Sequence, residues 1–171
     1  PHVGIITNIG EAHIENFKNL KGIAEAKSEM INNIEHNGTV ILNRDDKFFN
    51  FLSKKAKLNN LKVVSFGFNK QSDVYPIKIH QNKFTHLILK VKNQVLSLET
   101  INVNIYNILS SLALLSVLDL NFKTTIQSYK NHQTTEGRGK IHNIKRYKKN
   151  FKLIDESYNA NPLSVKNAIN K

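Results

Sequence analysis

The sequence predicts an α/β protein: a helix-covered parallel sheet, a small antiparallel satellite, and the beginning of a second α/β unit towards the carboxyl end. Three observations predict it. From Val3 to Phe66, short apolar runs alternate with helix-length periodic segments, the pattern of strands joined by helical crossovers. Between Tyr75 and Ile101 three strand-like runs follow one another with no helical segment between them. Beyond "TTEGRGK", with its two glycines, come two further strand-like runs and a helix opening at Pro162.

In chain order, Val3 to Thr7 reads as a buried strand and Leu20 to His36 as a helix. At about 100° per residue, Ile23, Ala24, Ala26, Met30, Ile31 and Ile34 make one apolar stripe, with Glu25, Glu29, Asn32 and Glu35 on the other side and Lys27 near the centre of the stripe. Thr39 to Asn43 is a strand, Asp45 to Leu58 a helix and Lys62 to Phe66 a strand. The satellite comprises Tyr75 to His80, Thr85 to Val91 and Gln94 to Ile101. Helical pattern returns from Asn104 to Leu120, apolar nearly all round from Ile108 to Leu118, and from Thr124 to Asn131. A domain boundary falls at "TTEGRGK", followed by strands at Ile141 to Arg146 and Phe151 to Asp155 and by the helix whose first turn Pro162 suits.

Composition narrows the function classes. The 171 residues are 40% hydrophobic, enough to bury the core of one domain and part of another. With no cysteine, a disulfide scaffold, a thiolate metal site and a cysteine nucleophile are all excluded. The net charge of +12 suggests a polyanionic partner, but only three of the 25 basic residues are Arg and the lysines are scattered, with one modest cluster at Lys145, Arg146, Lys148 and Lys149. No nucleic acid is therefore expected as a partner. The longest apolar stretch, "ILSSLALLSVLDL", is interrupted and too short to span a bilayer. "PHVGIITNIG" has no signal-peptide pattern and no initiator Met, and reads as the middle of a longer protein.

Several places carry more polar chemistry than packing requires. The first strand ends in Thr7, Asn8, Gly10, Glu11 and His13, where open α/β sheets hold their ligands. A loop histidine there is either a solvated, locally hydrogen-bonded group or a metal ligand. Lys27, on an apolar stripe, must snorkel, pair or change its chemical state, because an unpaired buried ammonium is costly. "ILNRDD" ends a strand in Asn43, Asp45 and Asp46, a turn and helix cap. Asn107 heads the apolar helix and needs a partner, backbone or ligand. "LIDESYNANP" gathers Asp155, Glu156, Ser157, Tyr158, Asn159 and Asn161 ahead of Pro162, although an N-cap needs one such residue. Arg138, between two glycines, is either a phosphate ligand or an exposed linker arginine.

Taken together, "ITNIGEAHIENF", "GIAEAKSEM", "ILNRDD" and "DESYNANP" resemble, in this order and over essentially the whole chain, the Mur ligases, the ATP-dependent amide-forming enzymes of peptidoglycan synthesis. "SYNA" followed by "NP" resembles the branch that adds D-alanyl-D-alanine. The resemblance implies that residues 1–135 are a Mur ligase central ATP-binding domain lacking its N-terminal part, and residues 136–171 the beginning of a Rossmann-like C-terminal domain. It implies ATP and Mg2+ as cofactors, and as partners a UDP-N-acetylmuramoyl tripeptide and D-alanyl-D-alanine, joined through an acyl phosphate by a monomer in the bacterial cytoplasm.

The same resemblance assigns roles residue by residue. His13 matches a magnesium-ligating histidine, and Lys27 a lysine whose carbamate supports magnesium and serves catalysis. Asn107 matches the asparagine that contacts adenine, Arg138 the arginine that reaches the nucleotide phosphates, and Glu156 the acid that binds the ribose hydroxyls. Asn159 and Asn161 would lie near the substrate. Two departures stand out: Ile101, Asn102 and Val103 replace the family's Gly-x-His lead into the adenine asparagine, and the phosphate-binding Gly-rich loop and the first magnesium carboxylate would precede Pro1. The isolated chain is accordingly expected to be inactive. The alternatives are another amide ligase of the same kind, such as folylpolyglutamate synthetase, and a non-catalytic basic binding module, which rests on net charge alone.

Overall fold

The computed structural model describes residues 1–11, 17, 19–101, 103–130, 135–158 and 162–169. Strands β1 (Val3–Ile6), β2 (Thr39–Asn43) and β3 (Lys62–Phe66) lie parallel in sequence order, with α1 (Leu20–Asn32) and α2 (Phe49–Leu58) as their crossovers. Val3 stands beside Thr39, and Thr39 beside Lys62, so the three strands end level. Burial of β2 from Thr39 to Leu42 on both faces explains why it is written as an unbroken apolar run. Val40 and Leu42 enter a core with Ile23, Ala24 and Ile31 of α1 and Leu52 and Ala56 of α2. Ile41 enters the opposite core with Phe66 and with Ile108, Leu109, Leu112 and Ala113 of α3 (Ile105–Val117).

The sheet continues beyond β3. β4 (Val74–Gln81) joins it through the pair Phe66 and Val74, and β5 (Thr85–Val91) and β6 (Gln94–Thr100) follow antiparallel. The antiparallel segment is thus the far half of one six-stranded sheet rather than a body apart. α4 (Phe122–Lys130) lies beside it, with Ile126 and Tyr129 against the same core as α3.

Three helices are shorter than their periodicity suggests, α3 among them, which stops at Val117 ahead of Asp119 with φ 53°. α1 stops at Asn32: the Asn33 side chain donates to the Glu29 carbonyl, and Asn37 turns the chain with φ 64°. α2 starts at Phe49 rather than Asp45, because the Asp45 and Asp46 side chains are held by other segments.

After residue 135, β7 (Lys140–Arg146) and β8 (Lys149–Asp155) form a separate antiparallel pair, followed by α5 (Pro162–Ile169). Tyr147 and Lys148 both have positive φ, 53° and 59°, as a two-residue turn matched to strand twist requires. Among the described residues, no helix is long and apolar enough to cross a membrane.

Candidate functional site at the carboxyl ends of the strands

Because β1, β2 and β3 are parallel and level, their following loops open on one edge of the sheet. The loop after β1 is tied to the loop after β2 twice. Asn43 Nδ2 donates to the Thr7 carbonyl at 3.1 Å, and the Ile9 N–H donates to Asp46 Oδ2 at 2.7 Å. Ile9 is buried, so its amide would otherwise be orphaned; part of the polar crowding after β1 is the hydrogen bonding that a buried loop backbone demands.

The sequence leaves three outcomes open for Lys27: to snorkel, to pair or to change its chemical state. Its position on the helix wheel does fall between Ile23 and Ile31, both buried, yet the side chain is exposed. It runs past the end of β1, where Nζ donates to the Asn8 carbonyl at 3.0 Å. Of the three outcomes open to it, the unmodified lysine snorkels, because α1 ends its contact with the sheet close enough to the strand terminus for a four-carbon stem to reach solvent. The buried polar group of α1 is instead Ser28, whose hydroxyl accepts from Lys55 Nζ of α2 at 2.7 Å and donates to the Glu25 carbonyl.

"ILNRDD" turns the chain as expected but does not cap the helix, since the α2 N-cap is Phe48 with no side-chain cap, and its carboxylates do more. The second oxygen of Asp46 accepts from the Phe48 N–H at 2.8 Å, leading the chain into α2. Asp45 reaches across the sheet: Oδ1 accepts from the Asn69 N–H at 3.0 Å, and Oδ2 from the Phe68 N–H at 2.5 Å and from the Tyr106 hydroxyl at 3.0 Å. Gly67 has φ 154°, and a Cβ there would stand 2.7 Å from Asp45 Oδ2, so only glycine lets the carboxylate this close. Burial, followed by the hydrogen bond and charge of Asp45, pushes the Tyr106 phenol up to about 12. Tyr106 therefore remains a proton donor at any physiological pH. Asp45 was not among the expected site residues; the signal lay in its being the second of three polar residues ending a strand, more than one cap requires.

A second centre joins the two other polar anomalies. Asp155 Oδ2 accepts from the Gly137 N–H at 2.9 Å and Oδ1 from the Ser157 N–H at 3.1 Å, while the Asp155 carbonyl accepts from the Gly139 N–H at 2.7 Å. In return, the Tyr158 N–H donates to the Gly137 carbonyl at 3.1 Å. Gly137 has φ 73°, and a Cβ there would lie 2.9 Å from Tyr158 Cβ. Hydrogen bonds from the Ser157 side chain, then from the Gly137 and Ser157 backbone, hold the Asp155 carboxyl below its ordinary range. The Arg138 guanidinium lies 4.0 Å above the Tyr158 ring. "EGRG" and "DESY" are therefore one interlocked turn, with Arg138 and Glu156 both exposed on it.

Of the expected site residues, Arg138 and Glu156 lie on the same interlocked turn, and Lys27 stands at the end of β1. Asn107 is exposed in the first turn of α3, so the apolar character of the helix sets no demand on its side chain. The helix cap is Asn104, whose Oδ1 accepts from the Tyr106 N–H at 2.9 Å. His13, Asn159 and Asn161 lie outside the described residues. A cleft of about 480 Å³ is lined by Ile9, Gly10 and Glu11, by Asp45, Asp46 and Lys47, and by Lys166 of α5, so the carboxyl-terminal helix faces the strand-end loops. Among the described residues no three His, Asp or Glu side chains gather as a metal site.

Comparison with known proteins gives consistent matches. The Mur ligase middle domain family matches residues 1–115. The UDP-N-acetylmuramoyl-tripeptide–D-alanyl-D-alanine ligase of Rickettsia prowazekii is 29% identical over 99% of the chain. The UDP-N-acetylmuramate–L-alanine ligase of Clostridium acetobutylicum is 29% identical over 97%. The chain spans 38% and 36% of the lengths of these two proteins. Among solved structures, the MurF crystal structure from Acinetobacter baumannii superposes with a TM-score of 0.83 at 26% identity, covering 97% of this chain and 36% of that one.

Proposed function

This chain belongs to the Mur ligase family, and from that premise we propose that the whole protein joins D-alanyl-D-alanine to a UDP-N-acetylmuramoyl tripeptide at the expense of ATP, in the bacterial cytoplasm, as a step of peptidoglycan synthesis. The γ-phosphoryl group of ATP passes to the terminal carboxylate of the tripeptide, giving ADP and an acyl phosphate. The amine of the dipeptide then attacks that carbonyl, and phosphate and a proton leave. Most of the catalysis is positioning and charge neutralisation. Residues 1–135 act as the central ATP-binding domain and residues 136–171 as the beginning of the C-terminal domain.

The observation that supports the reading is the interlocked turn of "EGRG" with "DESY", which carries both Arg138 and Glu156, a cation and a carboxylate of the kinds a nucleotide's phosphates and ribose call for. Arg138 contacts the phosphates and Glu156 the ribose hydroxyls. Asn107, exposed at the head of α3, contacts adenine. Asn159 and Asn161 are assigned to substrate binding. Lys27 at the end of β1 fits a carbamate: its Nζ is solvent-accessible, next to a carbonyl oxygen, and borders an open cleft of about 530 Å³. Carbamylation would replace a cation with hard oxygens there, and with His13 these would hold Mg2+, which supplies charge neutralisation for the transferring phosphoryl group.

The Clostridium match supports a second reading, an L-alanine-adding ligase with the same ATP chemistry. The two separate in one assay. The whole protein, with ATP and Mg2+, is offered UDP-N-acetylmuramoyl tripeptide plus D-alanyl-D-alanine, or UDP-N-acetylmuramate plus L-alanine, and ADP and amide product are measured. Turnover of the first pair only is expected. Turnover of the second pair alone would replace the proposal, and turnover of neither would refute both.

A further inference from the structure

Tyr106 and Asn107 are neighbours in the first turn of α3, and their surroundings differ sharply. Asn107 is exposed and its backbone N–H is closed onto the Asn104 carbonyl at 3.0 Å. Tyr106 is half-buried and tied to a residue 61 positions away by its hydroxyl on Asp45 Oδ2. That carboxylate is not free to move, since the Phe68 and Asn69 amides hold it from the loop after β3. The Phe68 ring meets the Tyr106 ring edge-on, with centroids 5.0 Å apart at 63°. The start of a helix has unsatisfied amides and frays unless it is anchored. Here the cap Asn104 anchors it locally, and the Tyr106 hydroxyl anchors it to the sheet.

We propose that Tyr106 is a positioning residue for nucleobase selection, its hydroxyl on Asp45 fixing the first turn of α3 so that Asn107 meets the base in one orientation. The inference rests on the reading that Asn107 contacts adenine. An amide side chain distinguishes purines only if its donor and acceptor ends are held in register with the base edge, and an exposed asparagine has no packing of its own to hold it. Orientation must come from the backbone turn. A tyrosine hydroxyl on a fixed carboxylate is a charge-assisted anchor for that turn, and the raised phenol pKa keeps it protonated.

The test uses the whole protein and the variants Tyr106→Phe, Asp45→Asn and Tyr129→Phe, with ATP and with inosine triphosphate. Tyr106→Phe keeps the ring against Phe68 and removes only the hydroxyl. Its KM for ATP should rise and its ATP-over-inosine ratio of kcat/KM should fall by about fivefold, the scale of one hydrogen bond, while KM for the dipeptide and kcat change little. Asp45→Asn should move the ratio the same way. Tyr129→Phe removes another core hydroxyl, the one bonded to Ser111, and should leave the ratio unchanged. An active wild type with the same ratio in Tyr106→Phe overturns this inference alone. A ratio that falls equally in Tyr129→Phe also overturns it, marking general loosening of the helix. A wild type that makes no amide with ATP overturns the functional reading on which the inference stands.

Discussion

At the scale of single residues, Lys27, Asp46 and Asp155 show how one side chain takes on more than one demand. Lys27 leaves the helix face it is written on and ends exposed beside the Asn8 carbonyl. If its role is a carbamate, Lys27→Arg in the whole protein keeps the charge but not the chemistry and should be nearly as inactive as Lys27→Ala. Acetate or formate should partly restore Lys27→Ala in the amide-forming assay. Asp46 accepts from two backbone amides, one belonging to buried Ile9. Asp46→Ala should therefore cost about 1–3 kcal/mol of stability, read as a lowered denaturant midpoint. Asp155 carries a pH signature. Its carboxyl is held below the ordinary range by the Ser157 and Gly137 hydrogen bonds, so its contribution is fully present above the unfolded value near pH 4 and is lost as pH falls through the lower folded value. Exchange of the Gly137 and Ser157 amides should accelerate below about pH 4 relative to β2, and Asp155→Asn should remove that pH dependence.

At the scale of elements, packing and local chemistry compete for the ends. α2 has the pattern of a helix from Asp45, yet Asp45 and Asp46 serve the strand-end loops and the helix begins at Phe49. α3 is apolar nearly all round because it lies on β2 and β3 with β4, β5 and α4 beside it; Ile108, Leu109 and Leu112 are fully buried. The β7 and β8 hairpin shows the reverse, a turn strained by its own sequence. Tyr147 and Lys148 occupy the left-handed region with side chains that resist it. Replacing them together, Tyr147→Asn and Lys148→Gly, should stabilise the hairpin by about 1 kcal/mol, seen as slower amide exchange across β7 and β8.

At the scale of the whole molecule, charge and topology lead to different conclusions. The net charge of +12 is dispersed, and its one cluster sits around the turn between β7 and β8, with none of its residues lining the cleft that Lys166 and the strand-end loops border. Titration with duplex DNA should give only weak association that disappears by about 200 mM salt. Submicromolar binding surviving that salt would mean that the basic surface has a partner of its own. Topology instead gathers loops at one edge: parallel, level strands place three loops side by side, and Lys166 of α5 lines the cleft they border.

What the sequence determined by itself was everything reported by local period and composition. The alternation from Val3 to Phe66 specified the crossovers and with them a helix-covered parallel sheet, and polar clusters after strands marked the edge where the candidate site lies. The interlocking of Gly137 with Asp155 and Tyr158 was foreshadowed only as two separate excesses of turn residues. Tertiary structure alone decided which groups meet. The reach of Asp45 to Phe68, Asn69 and Tyr106 spans 23, 24 and 61 residues, and the exit of Lys27 to Asn8 depends on how far α1 slides along β1. The physical reason is one of range: periodicity tells each side chain which face it occupies, whereas a hydrogen-bond partner across a crossover is set by register and packing that no local window contains.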